Sequence, residues 1–141
     1  MTEEIGALSR NAAGLFALVI DDQEAVSQFI AKALTGFGVD SKAYGTAKPA
    51  IASLDQRRPD IIFLDIALEQ SDAIEVIKGL SEKHYTGIVQ LISGGRPWLI
   101  DVVQRTGKRY GLNLRPPLQK PIGVAALQES IDSVDSVRSS A

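Results

Sequence analysis

The stretch Pro59-Asp60-Ile61-Ile62-Phe63-Leu64-Asp65 decides the fold. Four consecutive apolar residues, Ile61 to Leu64, stand between two aspartates. Such a run has to be buried on both faces, which suits a central strand of a parallel sheet better than an alternating antiparallel one. A buried strand that ends on a carboxylate also says where to look for chemistry. In open α/β sheets ligands bind just beyond the carboxyl ends of the strands, and Asp65 stands there. A second run, Leu15-Phe16-Ala17-Leu18-Val19-Ile20, ends the same way on Asp21-Asp22.

Working outward, the chain alternates between the two periods. Val26, Phe29, Ile30, Ala33, Leu34 and Phe37 form one helical stripe, closed by Gly36 and Gly38. Val39 to Tyr44 reads as a short strand. Thr46 is placed to cap a helix carrying Ile51 and Leu54, which must stop before Arg58-Pro59. After the central strand, Ser71 or Asp72 caps a helix with Ile74, Ile77 and Leu80 on its apolar face. Gly87 to Ile92 is a fourth strand that ends at Ser93-Gly94-Gly95. Pro97 opens a helix running to about Tyr110, with Leu99, Val102 and Val103 apolar and Gly111 as its stop. Leu112 to Leu118 is a fifth strand, and Pro116-Pro117, lacking amide donors, confine it to a sheet edge. Val124, Leu127, Ile131 and Val134 make the stripe of a final helix.

Five strands alternating with five helices define an α/β doubly wound parallel sheet, a flavodoxin-like (βα)5 fold with strand order 2-1-3-4-5. That order puts strands one and three side by side and the proline-bearing fifth strand on an edge. Residues 1–14 are expected to be a flexible lead-in, 15–137 the domain, and 138–141 a frayed tail.

Composition narrows the function. Hydrophobic residues make up 45% and charged residues 23%, and the net charge is −2. No basic excess supports direct nucleic-acid binding. The absence of cysteine removes thiolate catalysis, zinc-thiolate sites and disulfides, and one histidine, His84, cannot build a His-rich metal site. The longest apolar run, Ala12 to Ile20, is far short of the roughly 20 residues a membrane span needs. The expected compartment is the cytoplasm.

The predicted topology gathers Asp21, Asp22, Asp65, Ser93 and Lys120 at one rim. Three carboxylates together repel and raise one another's pKa values unless a cation intervenes. Mg²⁺ is the natural occupant, because it prefers oxygen ligands and is commonly held by one or two carboxylates with phosphate oxygens. A carboxylate beside it can attack phosphorus, and a lysine and a hydroxyl can hold the transferred oxygens.

These residues, with Pro121 after Lys120, resemble the receiver domain of two-component response regulators, over about Leu15 to Val137. The resemblance implies that Asp65 is the phosphoacceptor and that Asp21 and Asp22 are the acidic Mg²⁺ pair. It gives Ala67 a backbone carbonyl ligand role, Ser93 the switch-hydroxyl role and Lys120 the phosphate-binding role, with a cis Lys120–Pro121 bond. It implies a phosphoacceptor rather than an enzyme. The implied partners are a sensor histidine kinase or phosphotransfer protein, an effector or fused output domain, and a second copy through the face of residues 97–137.

Some positions depart from the family pattern. Leu68-Glu69 and Asp72-Ala73 stand where Met-Pro and Asp-Gly are common, Gly94 replaces an alanine, and Pro117 replaces the switch aromatic. A proline has no rotamer to swing inward. Gly111-Leu112 and Leu118 to Ile122 resemble receivers attached to EAL-type cyclic-di-GMP phosphodiesterases. Two other readings stay open. One is a degenerate receiver used only for docking. The other is a haloacid-dehalogenase-like phosphohydrolase, against which Ala67 stands where that family has a second aspartate.

Overall fold

A computed structural model describes residues 14–68 and 73–140, the last six by backbone alone. Five parallel strands form one sheet: β1 (Phe16–Ile20), β2 (Asp40–Tyr44), β3 (Ile61–Asp65), β4 (Ile88–Ser93) and β5 (Asn113–Gln119). Their order is β2-β1-β3-β4-β5, as the alternation of periods implies. The helices are α1 (Glu24–Gly36), α2 (Ala47–Ser53), α3 (Ala73–Glu82), α4 (Pro97–Arg109) and α5 (Val124–Ser140).

The sheet is the core because its central strands are apolar on both faces. Every residue of β1, β3 and β4 is buried. Leu18, Ile20, Ile62, Leu64, Val89 and Leu91 face α2, α3 and α4. Ala17, Val19, Ile61, Phe63, Ile88 and Ile92 face α1 and α5. Each of these side chains except the small Ala17 contributes roughly 1.5–3 kcal/mol on burial. The register sets Ile20 beside Leu64 and Asp65 beside Ile92, so the polar ends of three neighbouring strands come out level.

The helical stripes are narrower than their periodicity suggests. In α1 the buried positions are Ser27, Ile30 and Leu34, while Phe29 is 42% exposed. In α4, Val103 is buried and Val102 faces outward, and in α5 Val124 is exposed. Angular periodicity fixes the centre of a stripe; the partner's width fixes its edges. Thr46 occupies the N-cap of α2 without making the expected side-chain cap bond. Gly38 and Gly111 follow α1 and α4 with φ of +81° and +76°, left-handed geometry that glycine adopts without a Cβ penalty. His84 also has positive φ, at 55°, in the exposed turn after α3.

The final helix reaches Ser140, over residues where the sequence leads one to expect a frayed end. The expected lead-in lies outside the described residues up to position 13, and so do the α3 cap candidates Ser71 and Asp72.

At the edge, β5 carries a register irregularity between Gln90 and Ile92 of its neighbour, across from Pro116-Pro117. Here Gln90 compensates for the missing ladder. Its Nε2 donates to the Pro116 carbonyl at 2.7 Å and to the Leu91 carbonyl at 3.1 Å, and its Oε1 accepts from Ser130 Oγ at 2.8 Å. A buried side chain of β4 therefore ties the proline bulge to α5. Gly107 of α4 lets β5 approach closely, since a Cβ there would overlap the Leu114 side chain.

Candidate functional site

The carboxyl ends of β1, β3, β4 and β5 open into a cavity of about 540 Å³ lined by Asp22, Asp65, Ser93 and Lys120, with Trp98 and Leu99 from α4 on its wall. Asp21, Asp22 and Asp65 each bring a carboxylate oxygen within 4.8 Å of the others. Asp21 and Asp65 are buried and Asp22 is half-buried. A groove of similar volume between α2 and α3 has lysines and carboxylates mixed along aliphatic walls and none of this convergence.

Each acid is held by its own local backbone. Asp21 Oδ1 accepts from the Gln23 amide at 2.8 Å, and Asp65 Oδ1 accepts from the Ala67 amide at 3.0 Å. Both are turns in which a short carboxylate side chain binds the amide two residues on. Ser27 of α1 donates its hydroxyl to the Asp21 carbonyl at 3.2 Å, fastening the helix start to the strand end.

Lys120 follows β5, and its amide donates to the Ser93 carbonyl at 2.9 Å. Its ammonium donates to Asp65 Oδ2 at 3.2 Å and to Gln23 Oε1 at 2.8 Å, and makes an ionic approach of 3.4 Å to Asp21 Oδ2. The Lys120–Pro121 bond is cis, as the resemblance implies. Ser93 is fully buried, and its Oγ accepts from the Gly95 amide at 3.0 Å.

Burial raises the Asp21 pKa above its ordinary value of 3.8; the Gln23 amide bond opposes this, the Asp65 charge adds to it, and Lys120 offsets part. Asp21 Oδ2 is buried without a hydrogen-bond donor. An orphaned oxygen in an excess of three carboxylates over one ammonium fits a hard divalent cation with oxygen ligands.

All the acidic residues, the hydroxyl and the lysine expected from the sequence thus meet at one rim, with the Ala67 main chain beside Asp65. Gln23 was not foreseen. It sits at the N-cap of α1, where serine, threonine, aspartate or asparagine would be usual, and that mismatch was the available signal.

The acid triad and the lysine thus stand at the switch point of a doubly wound α/β sheet, where domains of this class bind their ligands. The chain belongs to the response regulator receiver domain family, whose model matches residues 17–132. The KDP operon transcriptional regulatory protein KdpE of Escherichia coli is 26% identical over 113 residues, covering 79% of this chain and 47% of that protein. The nitrogen assimilation regulatory protein NtrX of Azorhizobium caulinodans is 34% identical over 79 residues, 55% of this chain and 17% of that protein. This chain therefore spans about half the length of the first relative and less of the second. The receiver domain of the Francisella response regulator 1452 superposes with a TM-score of 0.73 at 20% identity, covering 89% of this chain and 99% of that one. These relatives lend no support to the narrower likeness to EAL-associated receivers. No helix among the described residues is long and apolar enough to cross a membrane.

Proposed function

We propose that this receiver domain accepts a phosphoryl group on Asp65. The observation that carries the reading is the triad of carboxylate oxygens within 4.8 Å, with Lys120 Nζ 3.2 Å from Asp65 Oδ2. Asp65 is the central member, buried at a strand end and held by the Ala67 amide, so its carboxylate has little freedom to leave an attacking geometry. An Asp65 oxygen bonds to phosphorus as the donor's bond to phosphorus breaks, and that bond's electron pair leaves with the donor. Lys120 and the Ser93 hydroxyl meet the transferred oxygens.

Asp21, Asp22, Asp65 and the Ala67 carbonyl would hold Mg²⁺. When bound, the ion neutralises charge on the phosphoryl oxygens and on the acid cluster. The donor is a sensor histidine kinase or a phosphotransfer protein, and the setting is the cytoplasm. The domain is a phosphoacceptor rather than a turnover enzyme, and Ala67 supplies no side-chain acid for a haloacid-dehalogenase-like hydrolysis.

The signal leaves through α4, β5 and α5, the face that would also meet a second copy or an output segment. Four of the five large exposed apolar side chains among the described residues, Trp98, Val102, Tyr110 and Val124, lie on or beside these elements. The test is incubation with acetyl phosphate. One phosphoryl mass should be gained with Mg²⁺ and none with chelator, and Asp65→Asn should gain none. Labelling of that variant to the wild-type level contradicts the assignment.

A further inference from the structure

Lys120 has to cross the site to do its work. It follows the edge strand β5, while Asp21 follows β1, three strands away and thus about 14 Å along the sheet. The ammonium that makes this crossing has three donors and finds two hydrogen-bond acceptors, Gln23 Oε1 at 2.8 Å and Asp65 Oδ2 at 3.2 Å, with Asp21 Oδ2 an ionic neighbour at 3.4 Å. The nearest is the neutral one. Both carboxylate contacts are longer than the roughly 2.7–2.9 Å of a fully formed charge-assisted bond.

Gln23 is built to make this contact. Its amide donates to Asp21 Oδ1 at 2.8 Å, and its carbonyl accepts from Val26 and Ser27, both at 3.1 Å, as α1 begins. The main chain is therefore held from both sides, and only the side-chain rotamers remain open. The side chain makes no cap bond to α1. A shorter N-cap residue would turn back onto the helix amides; glutamine has the reach to point into the site instead.

We propose that Gln23 is a positioning residue that holds the Lys120 ammonium slightly off the acid cluster, ready for an incoming phosphoryl oxygen. The inference rests on the phosphoacceptor reading above, because it assigns Lys120 to the transferred group. Without the Gln23 acceptor the ammonium closes on Asp65 and Asp21, where it shields the nucleophile and must be withdrawn before transfer. A carboxamide suits the task better than a carboxylate, since it adds no fourth negative charge to the cluster.

The test compares Gln23→Met, which keeps length and loses the acceptor, with Gln23→Glu, which restores one. Rates of phosphorylation by acetyl phosphate at saturating Mg²⁺ are followed by intact mass in wild-type and Lys120→Met backgrounds. Gln23→Met should slow the reaction about tenfold, the effect of losing one hydrogen bond to a charged group. Gln23→Glu should recover most of the rate, and neither change should matter once Lys120 is methionine. A wild-type rate in Gln23→Met, or an equal loss in the Lys120→Met background, overturns the proposal.

A second readout needs no phosphoryl transfer. The Lys120 ammonium resonance in the ¹⁵N spectrum should be sharp in wild type and Gln23→Glu and broadened in Gln23→Met. If wild type takes no phosphate, the phosphoacceptor reading fails, and this resonance still decides the Gln23–Lys120 contact. An unchanged resonance in Gln23→Met rejects it.

Discussion

Replacing Asp21 by asparagine should stabilise the metal-free protein while removing its response to Mg²⁺. The Asp21 side chain is fully buried, and its Oδ2 has no hydrogen-bond donor. It lies in a cluster whose carboxylate oxygens are within 4.8 Å of one another. One such pair repels by about 3 kcal/mol at an effective dielectric of about 20. The Lys120 ammonium, 3.4 Å away, returns part of this but is shared with Asp65 and Gln23. A net gain of ~1–2 kcal/mol follows for Asp21→Asn, which corresponds to about 3–8 °C in Tm for a domain of this size. The pH dependence has a definite sign. Burial lifts the folded pKa of Asp21 above 3.8, so its contribution to stability is complete below 3.8 and is lost as pH rises through the lifted value. The gain from Asp21→Asn should therefore be present at neutral pH and vanish in acid. Thermal unfolding in chelator at pH 7 and near pH 3.5, then with Mg²⁺ at pH 7, measures all three. Wild type should rise with Mg²⁺, since an ion bound only by the folded state stabilises it, and the variant should rise much less. A lower Tm for Asp21→Asn in chelator at pH 7 would refute the reasoning, because it would mean the charge is already compensated.

Two further expectations concern the edge of the sheet. Gln90→Leu should cost about 1–3 kcal/mol, because the Pro116 carbonyl and the Ser130 hydroxyl lose their buried partner, and adding Ser130→Ala should cost less than the sum of the two single changes, as denaturant unfolding would show. Beryllofluoride, a phosphoryl mimic, should shift backbone NMR signals from Ser93 through Pro97 to Arg109, with Gly94 and Gly95 absorbing the change; shifts confined to the acid cluster would remove α4 from the output route.

Much of this was legible because burial and charge make a sharp contrast at strand ends. Ile61 to Leu64 ending on Asp65, and Phe16 to Ile20 ending on Asp21, announce both the central strands and the rim where the carboxylates gather. Pro116-Pro117 likewise fixed β5 at the edge, where the sheet order has it. What stayed hidden depends on partners distant in the chain. Gln23 finds Lys120 across 97 positions and Gln90 finds Ser130 across 40, and no local period encodes either contact. A polar residue inside the run Gly87 to Ile92 was the visible trace of the second. Phe29, Val102 and Val124 fit helical stripes in sequence yet face outward, because stripe edges are set by how much of each helix its neighbours cover. Pro117 is readable as the loss of a swinging ring, but the Gln90 link beside it needed the fold.

The central claim is that Asp65 carries the phosphoryl group, and reductive trapping tests it at the atom concerned. Borohydride reduces an acyl phosphate to the alcohol, so a phosphorylated aspartate is read in a peptide map as homoserine. After acetyl phosphate and Mg²⁺, homoserine should appear at position 65 alone, and it should be absent when the donor or the metal is withheld. Homoserine at position 21 or 22, or phosphate on Ser93 with Asp65 unmodified, would contradict the account.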